Sequence, residues 1–115
     1  MYELVEQVLP KAEFSWTLNP GHLTADEEWM SSPIYSGSDI TLKSGMMLQM
    51  DIIPGKAGYG GAGAEDGIVL ADETLRKKIQ SDYPETWKRF ERRRRFMKEE
   101  LGITLEPEVL PMSDI

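Results

Sequence analysis

The sequence predicts an α+β domain in which a small antiparallel β-sheet is covered by helices. Two apolar runs, 46–53 and 64–70, have strand length and flank a connection with five glycines in 55–63. From Asp72 to about residue 101 the chain turns charged and amphipathic with helical spacing. The 115 residues are 40% hydrophobic, enough for a single domain, 1–115, with one modest core.

At the N-terminal end, Leu4, Val5, Val8 and Leu9 recur at helical spacing, so 2–9 is expected to be a helix that Pro10 ends. No Ser, Thr, Asp or Asn precedes it as a cap, which reads as a helix entered part-way, as if the chain were cut from something longer. Residues 14–18 alternate apolar and polar, the pattern of a half-buried strand, and Asn19-Pro20-Gly21 breaks it. Residues 22–41 follow neither period and predict an ordered loop with a short helical turn. Lys43-Ser44-Gly45 is a turn into the strand 46–53, which Pro54-Gly55 closes. The strand 64–70 is expected to return antiparallel to it.

Asp72 is suited to cap a helix over 73–82. Tyr83-Pro84 interrupts, and Pro84 fits the first turn of a second helix, 85–101. Trp87, Phe90, Met97 and Leu101 share one face of that helix, Arg94 projects to the same face and Phe96 to the opposite one, and Gly102 ends it. Residues 103–115 contain two prolines and read as an extended tail with a short strand at 103–105.

Composition excludes several chemistries. With no cysteine there are no disulfides, thiolate metal sites or cysteine nucleophiles. No apolar run approaches the roughly 18 residues of a membrane span. The acidic, amphipathic start is wrong for a signal peptide, and a cytoplasmic protein is expected. The net charge of −7 argues against nucleic acid as a partner. The bases gather in one segment, Lys88-Arg89 and Arg92 to Arg95, which reads as a solvated helix face on an acidic body.

The candidate chemistry lies in acids placed inside apolar strands. Asp51 interrupts 46–53, and Glu65 and Asp66 open 64–70. Burying a lone carboxylate is costly, so each needs a cation, hydrogen bonds or a metal ion. His22 is the only histidine. If the two strands pair, Asp51 and Glu65 can share a sheet face, and His22 can reach over from its loop. One imidazole nitrogen with two carboxylates is a partial sphere for Mn²⁺, Fe²⁺, Co²⁺ or Zn²⁺. The plainer alternatives are a strand-end Asp51 bound to backbone amides and a polar strand end at Glu65-Asp66. Asp26-Glu27-Glu28 is either a helix N-terminal acid cluster or a group that orients a ligand. Gly55-Lys56-Ala57 lacks the order of a phosphate loop, and no serine has a nucleophile-elbow motif.

Several segments in order carry a resemblance: NPGH (19–22), DEEW (26–29), SPIY (32–35) followed by Gly37, SGMMLQMDIIP (44–54) and AEDGIVLAD (64–72). Together they resemble the C-terminal part of the creatinase, Xaa-Pro aminopeptidase and methionine aminopeptidase superfamily, over residues 13 to 112. The resemblance implies a portion of the pita-bread fold and a dinuclear metallopeptidase ancestry. Members of that family bind two divalent metals through two aspartates, a histidine and two glutamates, and a metal-activated water attacks the scissile carbonyl. Carried over, His22 looks like the histidine ligand, Asp51 stands at the first glutamate and Glu65 at the second, with Asp66 and Asp26 as neighbours that orient them.

The sequence also departs from the family. Asp51 is one methylene shorter than glutamate, which draws its carboxylate back by about 1.5 Å. The second histidine common in the family is absent, and Trp29 occupies its neighbourhood. The two aspartate ligands would lie upstream of residue 1. The resemblance therefore implies a hydrolase portion inactive in isolation, completed by a missing N-terminal half and acting on a peptide or small amino-acid-like substrate. An apolar face with Met46, Leu48 and Met50, or with Ile52, would be left partly bare, and a homodimer is expected to cover it. Two rivals stand beside this reading: a non-catalytic association module, and a small-molecule binding protein of the creatinase kind.

Overall fold

The structure, a computed structural model, describes residues 1–24 and 31–114. It is α+β, with four strands in one sheet in the order β1-β2-β3-β4. The elements follow the chain as α1 (Tyr2–Val8), α2 (Lys11–Phe14), β1 (Gly21–Leu23), β2 (Met47–Ile52), β3 (Ala64–Leu70), α3 (Glu73–Asp82), α4 (Pro84–Glu100) and β4 (Val109–Pro111). The chain divides into two compact units, 1–41 with 48–66 and 42–47 with 67–115.

In the first unit α1 ends ahead of Pro10, as its sequence predicts, with Leu9 N–H donating to the Val5 carbonyl. The strand expected at 14–18 does not form. Residues 11–14 close a turn of helix instead, and Ser15 and Leu18 take left-handed backbone angles (φ 50° and 60°) that no strand accommodates. The alternation there has another origin: Trp16 is buried, and its indole N–H donates to the Leu9 carbonyl at 2.7 Å. Lys11 lies over its ring, and Tyr2 meets it edge-on.

His22, expected in a loop, belongs to β1. This strand pairs antiparallel with β2, placing Gly21 opposite Met50, His22 opposite Gln49 and Leu23 opposite Leu48. Gly21 is needed for this approach, since a Cβ there would stand 2.9 Å from the Gln49 carbonyl oxygen and 3.1 Å from Met50 Sδ. Leu48 is fully buried, while Met46, Met50 and Ile52 are half-buried.

In the second unit Asp72 caps α3, accepting from Leu75 N–H at 2.8 Å, and Pro84 occupies the first turn of α4. Ala71, Phe90 and Leu110 form the core, with Val69, Leu75, Ile79, Trp87 and Met112 packed against it. Met97 is buried as expected, but Leu101 is exposed. Gly102 takes φ 69° after the helix, as a C-terminal glycine should.

The tail strand lies at Val109–Pro111, paired antiparallel with β3, and not at 103–105. Arg94 accounts for the difference. Its guanidinium donates to the carbonyls of Leu105, Glu106 and Val109 and gathers that stretch into a turn ahead of β4. Among the described residues no helix is long and apolar enough to cross a membrane.

Candidate metal centre

The site belongs to the first unit and is built on β1, β2 and the head of β3. Side chains alternate along β2, so Gln49 and Asp51 share one face while Leu48 and Met50 take the other. The register sets His22 beside Gln49 on the first of these faces. Gly21 permits the close approach of β1, and its carbonyl accepts from Ser32 Oγ at 2.5 Å.

His22 is the buried polar residue of the described chain, 7% exposed. Its Nδ1 lies 3.0 Å from the Leu23 carbonyl oxygen. A carbonyl can only accept, so Nδ1 carries the proton and donates it. Nε2 faces Asp51 Oδ2 at 3.6 Å, within ion-pair range but beyond hydrogen-bond distance. A neutral imidazole in this tautomer presents a lone pair to a carboxylate. Such a pair is stabilised by a proton on Nε2 or by a cation shared between the two groups.

Glu65 is exposed at the head of β3, where its Oε2 lies 3.5 Å from Gln49 Nε2. Asp66, the next residue, is half-buried and points to the opposite face of its strand. Asp26 lies outside the described residues. The structure thus brings His22 and Asp51 together, while Glu65 meets Gln49. Among the described residues no three His, Asp or Glu side chains stand as a group that could hold a metal ion.

The chemistry of the donors fits a divalent cation at two positions. An imidazole whose far nitrogen donates to a backbone carbonyl is the arrangement that fixes tautomer and orientation in histidine ligands. A carboxylate oxygen opposite it is a suitable companion for Mn²⁺, Co²⁺, Fe²⁺ or Zn²⁺. Gln49 escaped sequence reasoning, although its place two residues before Asp51 in a strand was the signal that the two share a face. The Leu23 carbonyl carried no sequence signal at all.

No family model, curated protein or solved structure matches this chain.

Proposed function

We propose that this chain is the C-terminal portion of a metal-dependent aminopeptidase-like hydrolase of the Xaa-Pro aminopeptidase or creatinase type, with a pita-bread fold. His22, Asp51 and Glu65 are its share of a divalent-metal centre. The reading is supported by one observation above the others: a buried imidazole, tied through Nδ1 to the Leu23 carbonyl, turns Nε2 toward the Asp51 carboxylate.

A metal bound there would supply a Lewis acid for water and for the peptide carbonyl. The chain's own residues have separable tasks. His22 fixes one ligand direction, Asp51 supplies negative charge beside it, and Gln49 orients the Glu65 carboxylate. On this reading the family's two aspartate ligands come from outside these 115 residues, and the isolated chain is expected to bind metal weakly and not to hydrolyse peptides.

A second reading, a non-catalytic module for association or small-molecule binding, draws on two observations. Gln49 offers Glu65 a polar neighbour without a metal. Met1, Leu4 and Val8 leave an exposed apolar stripe at α1.

Calorimetric titration with Mn²⁺ or Co²⁺ separates the two. The metal reading expects saturable heat that His22→Ala and Asp51→Asn both remove. No heat, or heat indifferent to His22→Ala, overturns it in favour of the module.

A further inference from the structure

A different place in the molecule, wholly within the second unit, carries the charges of a ligand site. Arg76, Gln80, Trp87, Phe90, Glu91, Arg94, Pro107 and Leu110 line a cavity of about 230 Å³ on the α3–α4 pair and the turn before β4. Pockets for drug-sized ligands start at roughly 300 Å³, so this one suits something smaller.

The two arginines are unevenly neutralised. Arg94 spends three donors on neutral backbone carbonyls, and among the described residues it has no carboxylate at ion-pair distance. This leaves its Nε–H and one Nη2–H without a described acceptor. Arg76 is only 18% exposed and donates to the Ala71 carbonyl, and its ion-pair partner is the exposed Glu108 at 3.4 Å. Of these two partly buried guanidinium groups, only Arg76 therefore has a described ion-pair partner, and that partner faces solvent. Glu91 adds a carboxylate to the same lining, and Trp87, Phe90 and Leu110 add apolar surface.

We propose that this cavity binds a free α-amino acid with an apolar side chain, as its zwitterion. The carboxylate lies against Arg76 and Arg94, where a guanidinium can engage it in a planar, paired fashion. The ammonium lies toward Glu91. The side chain rests on Trp87, Phe90 and Leu110. This site stands apart from the metal-centre reading and needs neither His22 nor Asp51.

Calorimetry on the full chain with leucine, leucinamide and N-acetyl-leucine tests it. Leucine is expected to bind saturably at millimolar concentration. Leucinamide, without the carboxylate, and N-acetyl-leucine, without the ammonium, are each expected to bind about tenfold more weakly or not at all. Arg76→Gln and Glu91→Gln are expected to weaken leucine by a similar factor, with circular dichroism confirming that each variant folds. Absence of saturable leucine binding overturns the proposal. So does N-acetyl-leucine binding as tightly as leucine, which would mark a simple anion site, or leucine affinity unchanged in both variants.

Discussion

His22 Nε2 lies 3.6 Å from Asp51 Oδ2 across two paired strands, and the other ring nitrogen of His22 is held by the Leu23 carbonyl. The imidazole is fixed from behind while its Nε2 faces a carboxylate one methylene shorter than the glutamate the family resemblance implies there. If the pair is half of a cation site, lengthening the acid should improve it. Asp51→Glu extends the reach of the carboxylate by about 1.5 Å. Mn²⁺ affinity should rise by about tenfold, the lower end of what changes in ligand positioning produce. Unchanged or weaker affinity in the calorimeter would speak against Asp51 as a ligand.

Gly21 supports the same pair from the backbone. A methyl group there would press on the Gln49 carbonyl at 2.9 Å, on Met50 Sδ at 3.1 Å and on Ile34 Cδ1 at 3.3 Å. The nearest atom is backbone, so relief requires β1 to move away from β2. Gly21→Ala should cost about 1–3 kcal/mol in urea denaturation. It should also disturb the His22 imidazole resonances in NMR, whereas Gly63→Ala, with open space around its Cβ position, should leave them unmoved.

Arg94 organises the other unit. Its three donated hydrogen bonds satisfy the carbonyls of Leu105, Glu106 and Val109. Arg94→Ala strands the Leu105 and Val109 acceptors, while the Glu106 carbonyl keeps the Val109 N–H, and should destabilise the protein by about 2–4 kcal/mol. Hydrogen exchange should quicken at the β4 amide of Val109 and at Met112, whose N–H donates to Gly67. Exchange unchanged at both amides would show that the turn holds without the guanidinium.

One surface pair gives a pH signature of known sign. Lys78 donates to Asp82 at 2.6 Å on α3, and this hydrogen bond holds the Asp82 carboxyl below the ordinary aspartate value. A carboxyl depressed in the folded state contributes stability above its unfolded pKa, about 4, and loses it as pH falls through the lowered folded value. Asp82→Asn should therefore flatten the acid limb of the stability profile slightly. Both groups are exposed, so the difference should shrink further in high salt. A difference that grows with salt would contradict an ion-pair origin.

Much of this architecture could be read from the residues. Asp72 and Pro84 fixed the starts of α3 and α4, and the runs around Leu48 and Val69 marked β2 and β3. Local signals of capping and periodicity determine those elements. Where tertiary contacts decide, the sequence misled. Trp16 supplied an alternating pattern by burying itself, its indole N–H donating to the Leu9 carbonyl, with no strand paired to it among the described residues. His22 is a strand residue because Gly21 allows β1 to approach β2 closely, which no local pattern encodes. Of the candidate site, His22 and Asp51 were singled out together from the sequence, but their closeness follows from the β1–β2 pairing, with His22 in a strand and not reaching over from a loop. The Gln49–Glu65 contact depended on long-range strand placement, and Asp26 lies outside the described residues.

The indole of Trp16, buried and hydrogen-bonded to a backbone carbonyl, has an optical consequence. Trp87, the other tryptophan among the described residues, is half-buried in the second compact unit. With Trp29→Phe as background, each unit then contains a single tryptophan, which excitation at the red edge of the indole band selects over the tyrosines. Emission from Trp16 should lie to the blue of that from Trp87. Following the two wavelengths during denaturation would tell whether the units melt in one transition or two, with no label added.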